Sequence, residues 1–185
     1  MKKTGIMSMQ RIANYGSFLQ AYALKQLIEE LGHKVEFVDY HVGVPVIAEN
    51  ADSKNKFVRK LEKGLETFQY QAPLSYKSSF IRYKQSFAKK YMPLLGITDE
   101  MNYNPTLDCL VIGSDEVFNC IQKNSNVGYS TELFGKDNHA DRLITYAASF
   151  GNTTLEKLEK YQIENGQFTV TAYMPQDGGK SSEKV

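Results

Sequence analysis

The chain has 185 residues, enough for one domain with a sizeable core and few for two. Its 22 basic residues (Lys and Arg) nearly balance 21 acidic ones, so the formal net charge is +1. This balance argues against duplex nucleic acid or an anionic membrane as a partner. No apolar run approaches the roughly 18 residues of a membrane span, and no signal peptide is apparent. We therefore expect a cytoplasmic protein.

The cysteines and histidines follow no ligand or redox spacing. Cys109 and Cys120 lie eleven positions apart, and the three histidines are scattered. This spacing matches neither a zinc knuckle nor a dithiol motif. Without export, both thiols should stay reduced and act as small buried hydrophobic side chains. The sequence thus predicts no metal site.

The first forty residues predict a strand, a helix and a second strand. Thr4–Met9 is a short apolar run typical of a buried strand, and Lys34–Tyr40 alternates as a strand does. Between them, apolar residues recur at steps of three and four from Ala21 to Leu31, and Gly32 follows as a C-terminal cap. Such units form right-handed parallel crossovers. The sequence therefore predicts an α/β domain with a parallel sheet.

Two helices are predicted after a loop at His41–Asn55. The first covers Lys56–Phe68, and the second covers Tyr76–Tyr91 and ends before Pro93. Aromatic side chains recur at helical spacing along the second helix: Phe80, Tyr83, Phe87 and Tyr91. The stripe is typical of a packing face, and a stacking surface for sugar or base is the alternative.

The second half of the chain predicts two more buried strands. They cover Leu107–Ile112 and Leu143–Ala148, and each ends at a small polar turn. A short helix is predicted over Glu116–Gln122. A further helix begins near Thr153 or Thr154, because either residue can cap it.

The carboxy-terminal segment differs in character from the rest. After Glu164 the apolar residues become sparse, so we place the α/β domain at residues 1–164. Residues 165–185 are expected to hold a short strand, near Phe168–Met174, followed by a disordered polar tail.

Three turns that follow predicted strands share small and polar residues. They are Asn14-Tyr15-Gly16-Ser17, Gly113-Ser114-Asp115 and Ser149-Phe150-Gly151. In a parallel sheet the carboxyl ends of the strands lie at one edge, where ligands bind, so the turns should converge. Glycine exposes backbone amides, helix amino termini favour anions, and serine hydroxyls donate or accept. Plain capping is the alternative for each turn.

Asp115 is the ionisable residue among these turns and hence the candidate general base. None of the turns has complete dinucleotide-binding spacing or a P-loop lysine. A self-contained nucleotide site is therefore not expected. These residues alone predict a domain that binds a small molecule of unspecified identity.

The same segments resemble the polysaccharide pyruvyl transferase family. Asn14–Leu24 (NYGSFLQAYAL) is similar to the family's opening motif, and the strand that follows it ends in Asp39-Tyr40, as in the family. Asp108–Asp115 is similar to the D…VIGSD segment, and Tyr146–Gly151 to the YAASFG segment. The motifs stand in the family's order over most of residues 4–151.

The resemblance implies a Rossmann-like domain similar to the amino-terminal half of a two-domain GT-B-type fold. It implies transfer of the pyruvyl unit of phosphoenolpyruvate to a sugar of an envelope or extracellular polysaccharide, without a further cofactor. Asp115 would be the catalytic acid or base. The implied substrate-binding residues are Asn14, Tyr15, Gly16, Ser17, Gly113, Ser114, Ser149 and Gly151.

Two departures from the family motif stand beside these turns. Glu116 and Phe118 replace the Gln and Trp that members usually have. The family's second half, with its expected arginine and histidine residues, has no counterpart after Gly151. We therefore expect a truncated protein, weakly active or inactive alone. One alternative is a non-catalytic module that holds a glycan or anionic metabolite, or complements a separately encoded second half; exposed apolar surface would favour self-association or partner binding. The other is a GT-B-like glycosyltransferase fragment.

Overall fold

The structure, a computed structural model, describes residues 1–45, 47, 74–165, 171–176 and 179–184. By its contacts the chain divides into two compact units, Met1–Gly151 and Asn152–Val185. The domain boundary predicted from the sequence lies after residue 164. The predicted helix over Lys56–Phe68 lies outside the described residues.

The first unit contains a four-stranded, wholly parallel sheet. The strands are β1 (Lys3–Met7), β2 (Lys34–Phe37), β3 (Cys109–Ile112) and β4 (Leu143–Thr145), in the spatial order β2-β1-β3-β4. Gly5 of β1 pairs with Glu36 on one side and with Leu110 on the other. Because β1 and β3 are central and covered on both faces, their sequences are nearly continuous apolar runs. The predicted α/β fold, a Rossmann-like parallel sheet flanked by helices, is confirmed.

Helix α1 (Tyr15–Glu30) connects β1 to β2, as the apolar periodicity predicts. The side chain of Asn14 caps it by accepting hydrogen bonds from the backbone N–H groups of Gly16 and Ser17, at 2.7 and 3.2 Å. Gly32 follows the helix with a φ of +84°, the left-handed conformation that glycine adopts without strain. The βαβ unit therefore forms where the sequence places it.

Alternate residues of the central strands face two hydrophobic clusters. Ile6 and Val111 pack with α1 and with Phe87 on one face of the sheet. Met7 and Leu110 face the other side, where the segment between β3 and β4 supplies residues such as Leu133 of a short 3₁₀ helix (Glu132–Phe134). Period-two alternation thus holds within strands that are apolar throughout.

Helix α2 (Leu74–Tyr91) carries the aromatic stripe and continues into a 3₁₀ turn at Met92–Leu95. Phe87 is 2% exposed, and its ring lies 5.1 Å from the ring of Tyr15 on α1. The interpretation as a packing face is confirmed for this end of the stripe. Phe80, at the other end, is 56% exposed.

Two local predictions in the second half are wrong. Residues 116–122 form turns, not a helix, because side chains there compete for the backbone: Asn119 Oδ1 accepts the N–H of Ile121, and Asn119 Nδ2 donates to Glu116. The predicted strand 143–148 is shorter, and β4 is exposed along its length. It has one neighbour in the sheet order, so it is an edge strand and not a buried one.

The second unit contains helix α3 (Leu155–Asn165) and a hairpin of β5 (Thr171–Gln176) and β6 (Gly179–Lys184). Thr154 caps α3, since its Oγ1 accepts the N–H of Lys157 at 3.4 Å. The sequence predicts one strand and a disordered polar tail here, whereas the described residues form two paired strands. An Asp-Gly dipeptide, which favours tight hairpins, stands between them in the sequence. None of the described helices combines the length and apolar character needed to cross a membrane.

Candidate functional site at the carboxyl edge of the sheet

The first two predicted turns meet at the carboxyl ends of β1 and β3. The hydroxyl of Ser17 donates to Oδ2 of Asp115 at 2.5 Å. Just after β1, the hydroxyl of Ser8 donates to the backbone carbonyl of Ser114 at 2.9 Å. One bond reaches the start of α1 and the other reaches the end of β1. The two turns are therefore held side by side.

The third turn joins them on the side of β4. The backbone N–H of Ser149 donates to the carbonyl of Asp115 at 3.0 Å, and the N–H of Phe118 donates to the carbonyl of Ser149 at 3.0 Å. Asp115 and Ala148 also form an isolated parallel bridge. The predicted convergence of the three turns is confirmed, and we call the edge they form the rim (residues 14–17, 113–115 and 149–151).

The carboxylate of Asp115 occupies the centre of the rim. One oxygen accepts the Ser17 hydroxyl, and the other accepts the N–H of Glu116 at 2.9 Å. The residue is half-buried and has a φ of +88°, a conformation uncommon outside glycine. Residues held in such conformations are enriched at active sites and ligand clamps. A carboxylate held by two donors keeps a fixed orientation and can still accept a proton from a ligand hydroxyl.

Two rim glycines are required by contacts between the turns themselves. A Cβ atom on Gly113 would overlap the carbonyl oxygen of Tyr146, and the φ of Gly113 is +125°. A Cβ on Gly151 would overlap the carboxylate of Glu116. That carboxylate accepts from Asn119 Nδ2 at 2.7 Å. These glycines therefore allow the turns to pack closely, a role that the sequence analysis did not assign to them.

The predicted site residues differ in their access to solvent. Asn14, Tyr15, Gly16, Ser149 and Gly151 are exposed. Ser17 and Asp115 are half-buried, and Gly113 and Ser114 are buried. The hydroxyl of Ser114 donates to Oε1 of Gln20 at 3.1 Å, which connects the second turn to α1. The two buried residues, Gly113 and Ser114, therefore support the rim without being open to solvent.

The amino terminus of α1 is less open to an anion than the sequence suggested. The cap by Asn14 occupies the N–H groups of Gly16 and Ser17, and the N–H of Phe18 donates to the backbone carbonyl of Asn14. These are the groups that would otherwise bind a phosphate or carboxylate. A negatively charged ligand therefore needs other partners near the rim.

An ion pair that the sequence analysis did not single out lies beside β2. Arg11 binds Asp39 through Nε to Oδ1 at 2.6 Å and through Nη2 to Oδ2 at 2.7 Å. Arg11 also donates to the backbone carbonyls of Thr98 and Glu100. The hydrogen bond with Asp39 raises the pKa of the guanidinium, so it stays charged. The signal in the sequence was the position of Asp39, which follows β2 at the same edge as the rim.

Tyr40, the next residue, is also at this edge. Its side chain is 7% exposed, and its hydroxyl makes no hydrogen bond within the part of the chain that the structure describes. Burial, with the negative charges of Asp39 and Asp115, raises the pKa of the phenol, which therefore stays protonated. A neutral, buried phenol close to Asp115 is a hydrogen-bond donor without a protein acceptor among the described residues.

Phe118, one of the two departures from the family motif, packs inside the fold. Its ring stacks on Phe134 at 4.9 Å and contacts Phe150 at 5.5 Å. Among the described residues, no group of three or more His, Cys, Asp or Glu side chains is placed to hold a metal ion. The rim offers hydroxyl, amide and carboxylate groups, which suit recognition of a polar ligand and proton transfer.

A parallel sheet in the order 2-1-3-4, with polar turns gathered at its carboxyl edge, defines a Rossmann-like α/β domain. Residues 14–165 match the model of the polysaccharide pyruvyl transferase family. Because this match covers most of the chain and includes all three turns, the chain belongs to the polysaccharide pyruvyl transferase family. The family implies a sugar as the acceptor substrate. No curated protein and no solved structure matches the chain.

Proposed function

We propose that the protein transfers the pyruvyl unit of phosphoenolpyruvate to a sugar of an envelope or extracellular polysaccharide. The observation that carries the proposal is the carboxylate of Asp115, which Ser17 orients where three turns of the family-matched segment meet. A fixed, half-buried carboxylate at a ligand-binding edge suits acid–base work on a sugar hydroxyl.

The proposed reaction consumes one phosphoenolpyruvate and two hydroxyls of one sugar. Protonation of the vinyl carbon gives a methyl group and makes the adjacent carbon electrophilic. The first hydroxyl adds to that carbon and loses its proton to a base, for which Asp115 is the candidate. The second hydroxyl then attacks the same carbon and displaces the phosphate. The bond between that carbon and the bridging phosphate oxygen breaks, and a cyclic ketal forms. The two hydroxyl protons balance the new methyl C–H bond and the proton on the released phosphate.

The rim residues supply different contacts in this proposal. Ser17 orients Asp115. Oδ1 of Asn14 caps α1, so its Nδ2 is the group that would donate to a sugar hydroxyl. Ser149 is exposed, and its hydroxyl, which donates to the carbonyl of Asp115 at 3.4 Å, could accept a hydrogen bond from the sugar. Gly113 and Ser114 hold the second turn in position. In the GT-B-like arrangement that the resemblance implies, the rim forms one wall of a cleft between two Rossmann-like halves. A second polypeptide or a second copy of the chain would then supply further cations for the donor.

Phosphate release tests the proposal. The purified protein is incubated with phosphoenolpyruvate and a panel of sugar acceptors, and inorganic phosphate is measured over time. Because the chain alone would form only one wall of the cleft, we expect weak phosphate release that depends on an acceptor, and a decrease of about a hundredfold or more in Asp115→Asn. The matched control is Asp141→Asn, since Asp141 is exposed and precedes β4 at the opposite edge of the sheet. Equal rates in the wild type and Asp115→Asn would remove Asp115 from the reaction.

A further inference from the structure

Helix α1 has apolar side chains on two opposite faces. Phe18, Ala21 and Leu24 are buried in the cluster between the helix and the sheet. On the other face, apolar residues recur at steps of four along the helix and its C-terminal cap: Tyr15, Leu19, Ala23, Leu27 and Leu31. A helix that is apolar on all sides is normally buried on all sides. The sheet accounts for only one face of α1.

The second row, which we call the α1 ridge, is open to solvent. Leu19 is 60% exposed, Leu27 is 54% exposed and Leu31 is 77% exposed. Tyr15 and Ala23, which complete the row, are also exposed. Single exposed apolar side chains are common on proteins, whereas a continuous row of them marks an interaction surface.

The polar side chains that flank the ridge are already engaged within the protein. Lys25 forms an ion pair with Glu29 at 2.7 Å, and Gln26 donates to the same carboxylate at 3.1 Å. Gln20 accepts the hydroxyl of Ser114. An apolar surface can therefore cover the ridge without leaving any of these charges buried and unpaired.

The ridge is symmetric about Ala23. Leu19 and Leu27 lie four positions before and after it in the sequence, and Tyr15 and Leu31 lie eight positions away on either side. When two copies of α1 cross antiparallel around a two-fold axis at Ala23, Leu19 of each copy meets Leu27 of the other, and the small alanine permits close approach. Rows with a spacing of four are the ridges that interdigitate in the commonest class of helix pair. The ridge therefore fits a second copy of itself.

Two charges near the ends of the ridge favour the same arrangement. Glu30 is exposed at the C-terminal end of α1. Lys90 is exposed near the N-terminal end, since its ammonium group lies 5.3 Å from the ring of Tyr91, which is 5.4 Å from the ring of Tyr15. Neither charge has an ion-pair partner in the part of the chain that the structure describes. An antiparallel crossing brings Glu30 of one copy towards Lys90 of the other.

We infer that the α1 ridge is the interface of a two-fold symmetric dimer of this chain. A pair of helices about 24 Å long buries less than the roughly 800 Å² per partner of a stable complex. The dimer is therefore weak and reversible, with a dissociation constant of about 10–100 µM. Because Tyr15 belongs to both the ridge and the rim, the second copy lies next to the candidate site. The inference does not depend on the proposed reaction, since it involves neither Asp115 nor a ligand.

Sedimentation velocity of the full chain at about 1–200 µM tests the inference. We expect the wild type to shift from monomer to dimer over this range. Leu27→Glu should weaken the dimer at least about tenfold, because the new charge is buried against Leu19 of the second copy. Ile144→Glu is the matched control, since Ile144 is 50% exposed but lies on the edge strand β4. It should dimerise as the wild type does, and circular dichroism checks that each variant is folded.

Charge reversal tests the antiparallel arrangement separately. Glu30→Lys and Lys90→Glu should each weaken the dimer by about two- to fivefold, because each puts like charges together across the interface. The double variant Glu30→Lys/Lys90→Glu restores opposite charges and should recover most of the wild-type affinity.

Four outcomes overturn the inference. They are a wild type that stays monomeric over the whole range, a dimer that Leu27→Glu leaves intact, a dimer that Ile144→Glu weakens as much as Leu27→Glu does, and a double charge variant that binds no more tightly than the single ones. These measurements contain no substrate, so a monomeric protein that releases phosphate refutes the dimer alone. A dimer that releases no phosphate refutes the reaction alone.

Discussion

The hydroxyl of Ser17 donates a 2.5 Å hydrogen bond to the carboxylate of Asp115, across 98 positions of the chain. The bond joins the first turn of α1 to the turn after β3. Both residues are half-buried, so the bond is partly shielded from water and fixes one carboxylate oxygen. The other oxygen is held by a backbone amide. The orientation of Asp115 therefore depends on a residue that is far away in the sequence.

Replacing Ser17 by Ala should lower kcat of the proposed reaction by about tenfold and change KM little. The reason is that Asp115 keeps its charge but loses the donor that orients it, so Ser17 is a positioning residue. Ser17→Thr keeps a hydroxyl and should recover most of the rate. Steady-state phosphate release on the three proteins measures this. Equal kcat in wild type and Ser17→Ala would contradict the prediction.

Gly113→Ala should be far more destabilising than Gly32→Ala. Both positions have a positive φ, so each substitution carries backbone strain of about 1–2 kcal/mol. A Cβ on Gly32 meets no atom within 4 Å, whereas one on Gly113 overlaps the carbonyl oxygen of Tyr146. We expect Gly113→Ala to lose more than about 3 kcal/mol of unfolding free energy, measured by urea denaturation. Similar losses in the two variants would show that the turns do not pack as described.

The pair of Arg11 and Asp39 should stabilise the fold more than an exposed pair does. Asp39 is 4% exposed, so Arg11→Ala leaves a buried carboxylate without its cation. The expected loss is about 2–4 kcal/mol of unfolding free energy. Lys25→Ala breaks the helical pair with Glu29 and should cost about 0.5 kcal/mol. Denaturant titrations compare the two, and equal losses would contradict the account.

The thiol of Cys120 should make the fold less stable at alkaline pH. Burial raises its pKa from the ordinary value of 9.0 to about 11. The thiol ionises at a lower pH in the unfolded chain than in the folded protein. Its contribution to the free energy of unfolding is therefore complete below pH 9 and is lost as the pH rises towards 11. Unfolding free energies of wild type and Cys120→Ala at pH 8 and about pH 10.5 measure this effect. The wild type should lose more stability over this interval, and an equal loss would contradict the assignment.

Local patterns in the sequence were enough for the βαβ unit and for the turns. The periodicity of α1, its cap by Asn14 and the glycine after it are properties of neighbouring residues. The carboxyl ends of parallel strands lie at one edge of the sheet, and this rule predicts that Ser17 lies near Asp115. The two residues are 98 positions apart in the chain, and they are joined by a hydrogen bond. The general position of the rim could thus be predicted before any coordinates.

Features that depend on spatial order could not be predicted in this way. The exposure of β4 follows from its place in the sheet, which its apolar sequence does not show. The turns at 116–122 form because Asn119 bonds nearby backbone and side-chain groups, a choice that helical periodicity ignores. Lys84 on α2 and Lys123 line the same cavity, and no local pattern connects those two residues.

The central claim is that the three turns form one ligand-binding rim. It is tested most directly by amide NMR of the full chain, titrated with phosphoenolpyruvate and, separately, with a sugar acceptor. The account predicts that resonances of residues 14–17, 113–115 and 149–151 shift together, at the same ligand concentrations. Shifts confined to one turn, or found only in residues remote from all three, would contradict it.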